Sequence, residues 1–319
     1  MIGLIRWPHN SRGGRGRPYV YSPTVILRCF VVRIWFRLDS NRALHEYLAM
    51  EMPYNKKIMK ECGLSRIPSR RTFDRRLTTL SGDIKIRITT MGKLFVHDKI
   101  IDPSILSTDS TLIKAKGHVW HKSSMKKKVV PRSGIDTDAM WGFSHTKGWI
   151  FGYKLHLISS TGSIIVPLRA DFTTANIPDN QMYSILTASL PLAIIRRTLY
   201  MSADPGYDDH ELYDLSTDMG FQLVCPVKRY RNTPSDRIKL IEFYKSDIGQ
   251  TIYSLRSISI EPLIEHIKSV FRIDPLPVRG YAKASSVVLL SVLLYQILVY
   301  YNCKTRKDNP RAIKYMLGT

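Results

Sequence analysis

Acidic residues are scarce in this sequence of 319 residues. There are 26 Asp and Glu against 48 Lys and Arg, which gives a net charge of +22. Residues 1–100 hold 20 of the basic and 7 of the acidic residues, so this part alone carries +13. The excess is larger than a solvated surface needs and predicts a polyanionic partner, nucleic acid or, as the alternative, a membrane surface.

Cysteines are few, and their spacing pairs none of them. The four are Cys29, Cys62, Cys225 and Cys303, without any CxxC spacing. This argues against a zinc ribbon and against a disulfide framework, and it fits a reducing, intracellular setting. The N-terminus is basic but has no continuous apolar segment after it, so we expect no secretory signal.

Long hydrophobic runs are also rare. The run at 287–301 spans about 15 residues, fewer than the roughly 20 that a helix needs to cross a bilayer, and it contains Gln296. We therefore expect a buried helix that closes the fold. Hydrophobic residues make up 44% of the chain and aromatic residues 10%, which predicts a globular protein with one large core or two modest ones.

The N-terminal third has the pattern of a helical domain behind a basic arm. Residues 1–23 are rich in Arg, Gly and Pro and are typical of a flexible arm. A helical, DNA-binding domain is predicted over 24–100. Its first two helices are expected at 24–36 and 41–50, with Ser40 as the N-cap of the second.

Two further short helices, at 55–62 and 70–80, flank a turn that contains Gly63. This order is typical of a helix-turn-helix, and a generic basic helical bundle fits it as well. The second of these helices is dense in arginine. We predict that four of its side chains contact DNA: Arg70, Arg71, Arg75 and Arg76.

A second domain is predicted over 101–303, followed by a basic tail at 304–319, and it opens with an aspartate inside a strand. Apolar residues lead up to Asp109, and the threonines on either side of it favour an extended backbone. A carboxylate in a strand is costly unless its charge is held. Asp109 is therefore either an edge-strand residue bonded to its Ser and Thr neighbours or a functional group.

The elements after Asp109 predict an α/β domain. A polar, lysine-rich excursion at 114–148 comes first. Further strands are predicted at 149–159, 163–174, 197–203 and 221–227, with helices after the second, third and fourth of them. This order resembles the ribonuclease H-like fold, a mixed five-stranded sheet flanked by helices. There the first and fourth strands are neighbours, which would bring Asp109 beside Asp204 at the strand ends where α/β sheets form their sites.

Glu261, on a later helix, adds a third carboxylate. Three acids delivered in this way are typical of sites that hold two divalent cations about 4 Å apart for phosphodiester chemistry. Glu265 competes for this role, because it lies one helical turn further on and shares a face with Lys268. Pro262 favours Glu261, since proline is accommodated in the first turn of a helix and would place Glu261 near the positive end of its dipole.

Several short motifs, in this order, resemble those of the DDE-type insertion-sequence transposases of prokaryotes. The resemblance covers roughly residues 20–302, and its segments are 107–111, 134–139, 152–156, 173–179 and 203–208. The family's closing signature is a Tyr, an Arg, a Glu and, after six more residues, a Lys. Here it consists of Tyr253, Arg256, Glu261 and Lys268, with four residues between the Arg and the Glu where three are usual.

The resemblance implies a transposase that binds the terminal inverted repeats of its element, cleaves the DNA ends by metal-dependent hydrolysis and joins the 3′-hydroxyls to target DNA. The implied catalytic residues and metal ligands are Asp109, Asp204 and Glu261. Two Mg²⁺ ions, or Mn²⁺ as a substitute, would be the cofactor.

It further implies that the DNA-contacting residues of the site are Tyr253, Arg256 and Lys268. The expected partners are double-stranded DNA and further copies of the chain, as a homodimer or larger synaptic complex, without a membrane. The expected location is the prokaryotic cytoplasm, at the nucleoid. A nuclease or resolvase of the same fold and an inactive, transposase-derived DNA-binding protein remain the alternatives.

Other candidate residues are four histidines and four aspartates of predicted loops. The histidines are His118, His121, His145 and His156. They lack the spacing of a metal site, so we expect them to face solvent or to form hydrogen bonds. The aspartates are Asp136, Asp138, Asp171 and Asp179. We expect turn formers or caps, with Asp136 or Asp138 approaching the site as the alternative.

Overall fold

The computed structural model describes residues 20–144, 146–231 and 233–317. The chain divides into two compact units, Met1–Leu80 and Ser81–Thr319. The predicted basic arm falls almost wholly outside the described residues. The division lies earlier than the domain boundary predicted near residue 100, because the helix Ser81–His97 packs against a strand and a helix of the second unit.

The described part of the first unit is helical, as predicted. Its helices are α1 (Pro23–Trp35), α2 (Asn41–Ala49), α3 (Pro53–Cys62) and α4 (Arg70–Leu77). The side chain of Ser40 accepts a hydrogen bond from the amide of Ala43 at 3.0 Å and so caps α2. Helix α3 ends at Gly63, whose φ of 81° lies in the left-handed region that glycine adopts without strain.

A buried polar network joins three of these helices. The guanidinium of Arg33 donates to the carbonyl of Leu38 at 3.1 Å and to Oδ1 of Asn41 at 2.9 Å. Asn41 in turn donates to Oδ1 of Asp74, on α4, at 2.8 Å. Burial lowers the pKa of Arg33 to about 10, which leaves the side chain charged at neutral pH. The network fixes α4 relative to α1 and α2.

The second unit holds a mixed sheet whose strands are β1 (Ile105–Lys114), β2 (Met140–Ser144), β3 (Gly148–Ser160), β4 (Pro167–Thr174), β5 (Tyr200–Ser202) and β6 (Gln222–Val224). Within the described residues the order is β2-β3-β1-β5-β6, and β4 also pairs with β3. β1 is antiparallel to β3 and parallel to β5. The ribonuclease H-like layout, with the first and fourth predicted strands adjacent, is therefore confirmed.

One strand was not predicted. β2 lies in the lysine-rich excursion and pairs antiparallel with the first residues of β3, so the described sheet has six strands rather than five. Strands β3 and β1 approach each other very closely at Gly152, where a Cβ atom would overlap the carbonyl oxygen of Ile113 on β1. This close approach explains a glycine in the middle of a buried strand.

The helices of the second unit are α5 (Ser81–His97), α6 (Lys122–Lys126), α7 (Asp179–Ala188), α8 (Leu192–Ile195), α9 (His210–Asp218), α10 (Ser235–Lys245), α11 (Asp247–Ile258), α12 (Ile260–Phe271) and α13 (Tyr281–Lys304). Helices α5 and α13 pack on each other and on β4. The helices α7, α9, α11 and α12 contact β1, β3, β5 or β6.

Helix α13 contains the long apolar run and is buried, as expected. By length and composition it could cross a membrane, but 83% of its most apolar window lies inside the unit. The side chain of Gln296 is fully buried and donates to the carbonyl oxygens of Ile88 on α5, at 2.9 Å, and Pro167 on β4, at 2.7 Å. A core helix, rather than a membrane span, accounts for these contacts.

Two of the loop aspartates cap this helix. Oδ2 of Asp136 accepts from the amide of Gly280 at 2.9 Å, and Oδ2 of Asp138 accepts from the amide of Tyr281 at 2.9 Å. Both amides lie at the N-terminus of α13, where such bonds satisfy donors that the helix leaves open. The motif at 134–139 thus has a structural role in this unit, as the cap interpretation predicted.

Candidate active site

Asp109 and Asp204 lie side by side because their strands are parallel neighbours. Ser107 of β1 pairs with Ser202 of β5, and each aspartate follows its paired serine by two residues. Asp204 is the second residue after the end of β5, and its Oδ1 accepts a hydrogen bond from the amide of Gly206 at 2.9 Å. Asp109 lies in the middle of β1 rather than at a strand end, but it follows the last β1 residue that pairs with β5. The strand order therefore brings the two carboxylates together, as predicted.

The two carboxylates stand in an environment that disfavours their charge. Burial raises the pKa of Asp109 to about 7; the guanidinium of Arg256 opposes this effect, and the charge of Asp204 adds to it. Burial also raises the pKa of Asp204, again against the effect of Arg256. Carboxyl groups perturbed by burial and by like charges in a cavity are typical of functional sites.

Glu261 is the second residue of α12, with a side chain that is 51% exposed. Pro262 lies in the first turn, so the helix begins where the sequence predicted. Glu265 follows one turn later, is 66% exposed and lies 3.5 Å from Nζ of Lys268. Both glutamates line the same cavity, so their positions alone do not show which of them is the third carboxylate of the site.

Arg256, on α11, connects two of the three acids. Its Nη2 atom lies 3.0 Å from Oδ2 of Asp109 and 3.7 Å from Oε1 of Glu261. Its guanidinium carbon also lies 5.8 Å from the centre of the Tyr253 ring, within cation–π range. The arginine predicted to contact DNA is thus buried and paired with the acids, with Tyr253 half-buried beside it.

Lys268 lies deeper than the sequence indicated. Its side chain is only 5% exposed, and Nζ lies 3.1 Å from Oδ2 of Asp274 and 3.3 Å from Oγ1 of Thr111. It does not belong to the lining of the cavity that holds the three acids. In this structure it ties α12 to β1 and to the segment after α12.

The three acids line one cavity of about 540 Å³. The charged residues of its wall are Asp109, Lys147, Lys154, Asp179, Asp204, Arg256, Glu261 and Glu265. The sequence did not indicate Lys147, Lys154 or Asp179 as residues of the site. Lys154 and Asp179 fall within the motifs at 152–156 and 173–179, and membership of these motifs is the sequence feature that could have indicated them.

The donor set of the cavity suits a hard divalent cation. Carboxylate oxygens are the ligands that Mg²⁺ and Mn²⁺ accept, and the mutual repulsion of Asp109 and Asp204 is of the kind that a bound cation relieves. Among the described residues, however, no three His, Cys, Asp or Glu side chains are arranged closely enough to hold a metal ion. Arg256 instead bridges Asp109 and Glu261, so a cation would share these carboxylates with it.

The histidines form no metal site in the described part of the chain. His118 and His121 are exposed, and His145 lies outside the described residues. His156 is fully buried, bonds to Oγ1 of Thr173 at 2.9 Å, and has its pKa lowered to about 4 by burial. Asp171 forms an ion pair with Lys85 of α5. The exposure of His118 and His121 and the hydrogen bond of His156 agree with expectation. The expectation for Asp171 was wrong, because it lies within β4 rather than in a loop and neither forms a turn nor caps a helix.

In the helical unit, α4 presents most of its arginines to solvent. Arg70, Arg71 and Arg75 are exposed, and Ser69 caps the helix through the amide of Thr72 at 3.2 Å. Arg76 is buried. Its predicted contact with DNA therefore disagrees with the structure, because the side chain lies on the inner face of α4.

Comparison with known proteins identifies a family. The family model described as "Transposase DDE domain" matches residues 101–297, and this confirms the resemblance seen in the sequence motifs. No curated protein matches the chain.

Solved transposase complexes resemble the chain only distantly. The piggyBac transposase synaptic complex with hairpin DNA has a TM-score of 0.41 at 10% identity, over 99% of this chain and 74% of that one. The Mos1 transposase paired-end complex with the left transposon end has a TM-score of 0.23 at 11% identity, over 89% and 80%. Values this low say nothing about what this chain binds.

Proposed function

The chain belongs to the transposase DDE domain family, whose model spans residues 101–297, and from this premise we propose that it moves an insertion sequence. It binds the terminal inverted repeats of the element, cleaves the DNA ends hydrolytically and joins the freed 3′-hydroxyls to target DNA. One observation carries the proposal. Asp109, on β1, and Asp204, just after the parallel neighbour β5, line a single cavity together with Glu261 at the start of α12.

Asp109, Asp204 and Glu261 would hold the divalent cations, two Mg²⁺ or Mn²⁺. When bound, these ions supply activation of the attacking water or hydroxyl and stabilisation of the leaving oxygen. Arg256 orients Asp109 and Glu261 through its two contacts. Lys147, exposed at the wall of the cavity, is placed to bind a phosphate of the strand being cleaved.

The helical unit would supply most of the affinity for the DNA ends. Arg70, Arg71 and Arg75 are exposed on one helix, and arginines of this kind neutralise phosphates and release counterions. Joining two ends requires two active sites, so the working form is a homodimer or a larger synaptic complex. It would act on the DNA of a prokaryotic cytoplasm.

The test uses the full chain, labelled DNA that carries the ends of the encoding element, a target plasmid and Mg²⁺. We expect a nick that leaves a 3′-hydroxyl at each end, followed by joined products. Asp109→Asn is the inactive control. Cleavage without joined products would identify a nuclease or resolvase, and binding of the ends without cleavage would identify an inactive DNA-binding protein.

A further inference from the structure

A further carboxylate, Asp179, faces the cavity of the three acids. It is the first residue of α7, and its side chain is 26% exposed. Nζ of Lys154, on β3, donates to Oδ1 of Asp179 at 3.0 Å and to the carbonyl oxygen of Ile177 at 2.9 Å. Since Lys154 is only 8% exposed, its ammonium depends on these oxygens, and the pair is fixed in the cavity wall.

The side chain of His156 also lies next to the carboxylate of Asp179. It lies two residues from Lys154 on β3, so both side chains point to the same face of the sheet. Its Nε2 is bonded to Thr173, whereas Nδ1 is buried, has no hydrogen-bond partner and lies 3.6 Å from Oδ1 of Asp179. This distance is slightly beyond a hydrogen bond. The imidazole is therefore aimed at the carboxylate and within a small movement of bonding to it.

The position of Asp179 is unfavourable for an ordinary structural ion pair. Asp179 lines the same cavity as Asp109 and Asp204, so three carboxylates face one space. A pair that served only packing would be more stable away from two other carboxylates, because like charges at short range repel. Lys154 and Arg256 offset two of the three charges, and the remaining excess is of the sign that attracts a cation.

We propose that Asp179 is a positioning carboxylate of the metal centre. Its charge attracts the divalent cation to Asp109 and Asp204, while Lys154 and His156 hold the side chain of Asp179 in place. The inference rests on the proposed function, since it concerns the same cation site. It assigns a common role to the motifs at 152–156 and 173–179, whose residues Lys154, His156, Thr173 and Asp179 meet at this point of the fold.

The first experiment measures the binding of Mn²⁺ to the full chain without DNA. The electron paramagnetic resonance signal of free Mn²⁺ reports how much of the ion remains unbound. Substitutions of groups around metal ligands typically weaken metal binding about 10- to 100-fold, and we expect Asp179→Asn to do so. Asp214→Asn is the matched control. It removes the same charge from an exposed position on α9, outside the cavity, and should leave the affinity within about twofold.

The second measurement separates positioning from a folding defect. In end cleavage, Asp179→Asn should raise the Mn²⁺ concentration for half-maximal rate by the same factor, and saturating Mn²⁺ should restore most of the rate. A misfolded variant would be slow at every Mn²⁺ concentration. Thermal unfolding verifies the fold, and Asp179→Ser, which keeps a helix-starting side chain, replaces Asp179→Asn if that variant does not fold.

The outcomes are distinct. If Asp109→Asn loses Mn²⁺ affinity and Asp179→Asn keeps that of the unmodified chain, the role of Asp179 is overturned and the proposed function stands. If neither substitution changes the affinity, the cation site of the proposed function is itself wrong. If Asp179→Asn weakens DNA binding but leaves Mn²⁺ affinity unchanged, the ion pair serves Lys154 rather than the cation, which also overturns the inference.

Discussion

The arginines of α4 in the helical unit and the cations beside the acids of the second unit differ in their exposure to solvent. In the helical unit, three arginines of α4 are exposed to solvent. In the second unit, Lys154, Arg256 and Lys268 are only 5 to 8% exposed, and each contacts a carboxylate. Exposed cations are available to a polyanion from solution, whereas buried cations mainly fix the orientation of the acids beside them.

The difference predicts different responses to substitution. Loss of a buried, paired charge leaves its partner uncompensated and should change chemistry or stability at any salt concentration. Loss of an exposed charge should change affinity, and most at low salt. The following predictions test this contrast.

The largest effect is expected at the paired aspartates. Asp109→Asn or Asp204→Asn removes one of the proposed metal ligands, a charged group worth several kcal/mol, so end cleavage should fall about 1000-fold or more. Binding of end DNA, measured by gel shift, should change by no more than a few-fold, because the exposed arginines are intact. Cleavage by either variant near the rate of the unmodified chain would contradict the assignment of the site.

A smaller contrast is expected between the two glutamates of α12. Glu261→Gln should abolish cleavage, whereas Glu265→Gln should keep most of it, because Glu265 is the more exposed and lies near Lys268 and Lys147 rather than Arg256. Cleavage is measured for both variants across a Mn²⁺ titration. An active Glu261→Gln together with an inactive Glu265→Gln would show that the signature belongs to the other acid.

The exposed arginines of α4 should act through affinity alone. Replacing Arg70, Arg71 and Arg75 together by Gln should weaken end binding and lower the slope of log affinity against log salt by about 0.9 for each lost phosphate contact. The same triple change at Lys56, Lys57 and Lys60 is the matched control, since these lysines are exposed on α3. If both triple variants lost the same affinity for end DNA, the arginines of α4 would contribute only a general electrostatic attraction.

The smallest effect is expected at the caps of α13. Asp136→Ala removes a buried cap, which typically costs about 1 kcal/mol and should lower the melting temperature by about 2–4 °C. Asp138→Ala removes a cap bond of the same length from an exposed residue, so it should cost less. Differential scanning calorimetry measures both, and a larger loss for Asp138→Ala would contradict the role of burial.

The arrangement of the main site was predictable because it depends on strand order. Once β1 and β5 are neighbours, Asp109 and Asp204 must lie together. The start of α12 was predictable from Pro262, since proline restricts the residues around it. Such features depend on local chain chemistry and on a layout that the alternation of strands and helices indicates.

The burial of Arg76 could have been found in the sequence. It lies three residues after Phe73 and one before Leu77, both buried, so helical periodicity turns it inward with them. The contacts of Arg256 could not be found in this way, because Asp109 is 147 positions away in the chain. β2 escaped prediction because it is short and its partner strand, rather than its own polar surroundings, stabilises it.

Helix α13 has a consequence for the order in which the chain can fold. Helix α5 and strand β4 pack against α13. Helix α13 is complete only when residue 304 has been synthesised. At about 5–20 residues per second, a ribosome needs roughly 10 to 45 s to pass from residue 80 to residue 304. Throughout that interval the helical unit already has all its residues, while the growing sheet keeps an uncovered apolar surface. The second unit is therefore the part of the nascent chain that most needs protection from aggregation.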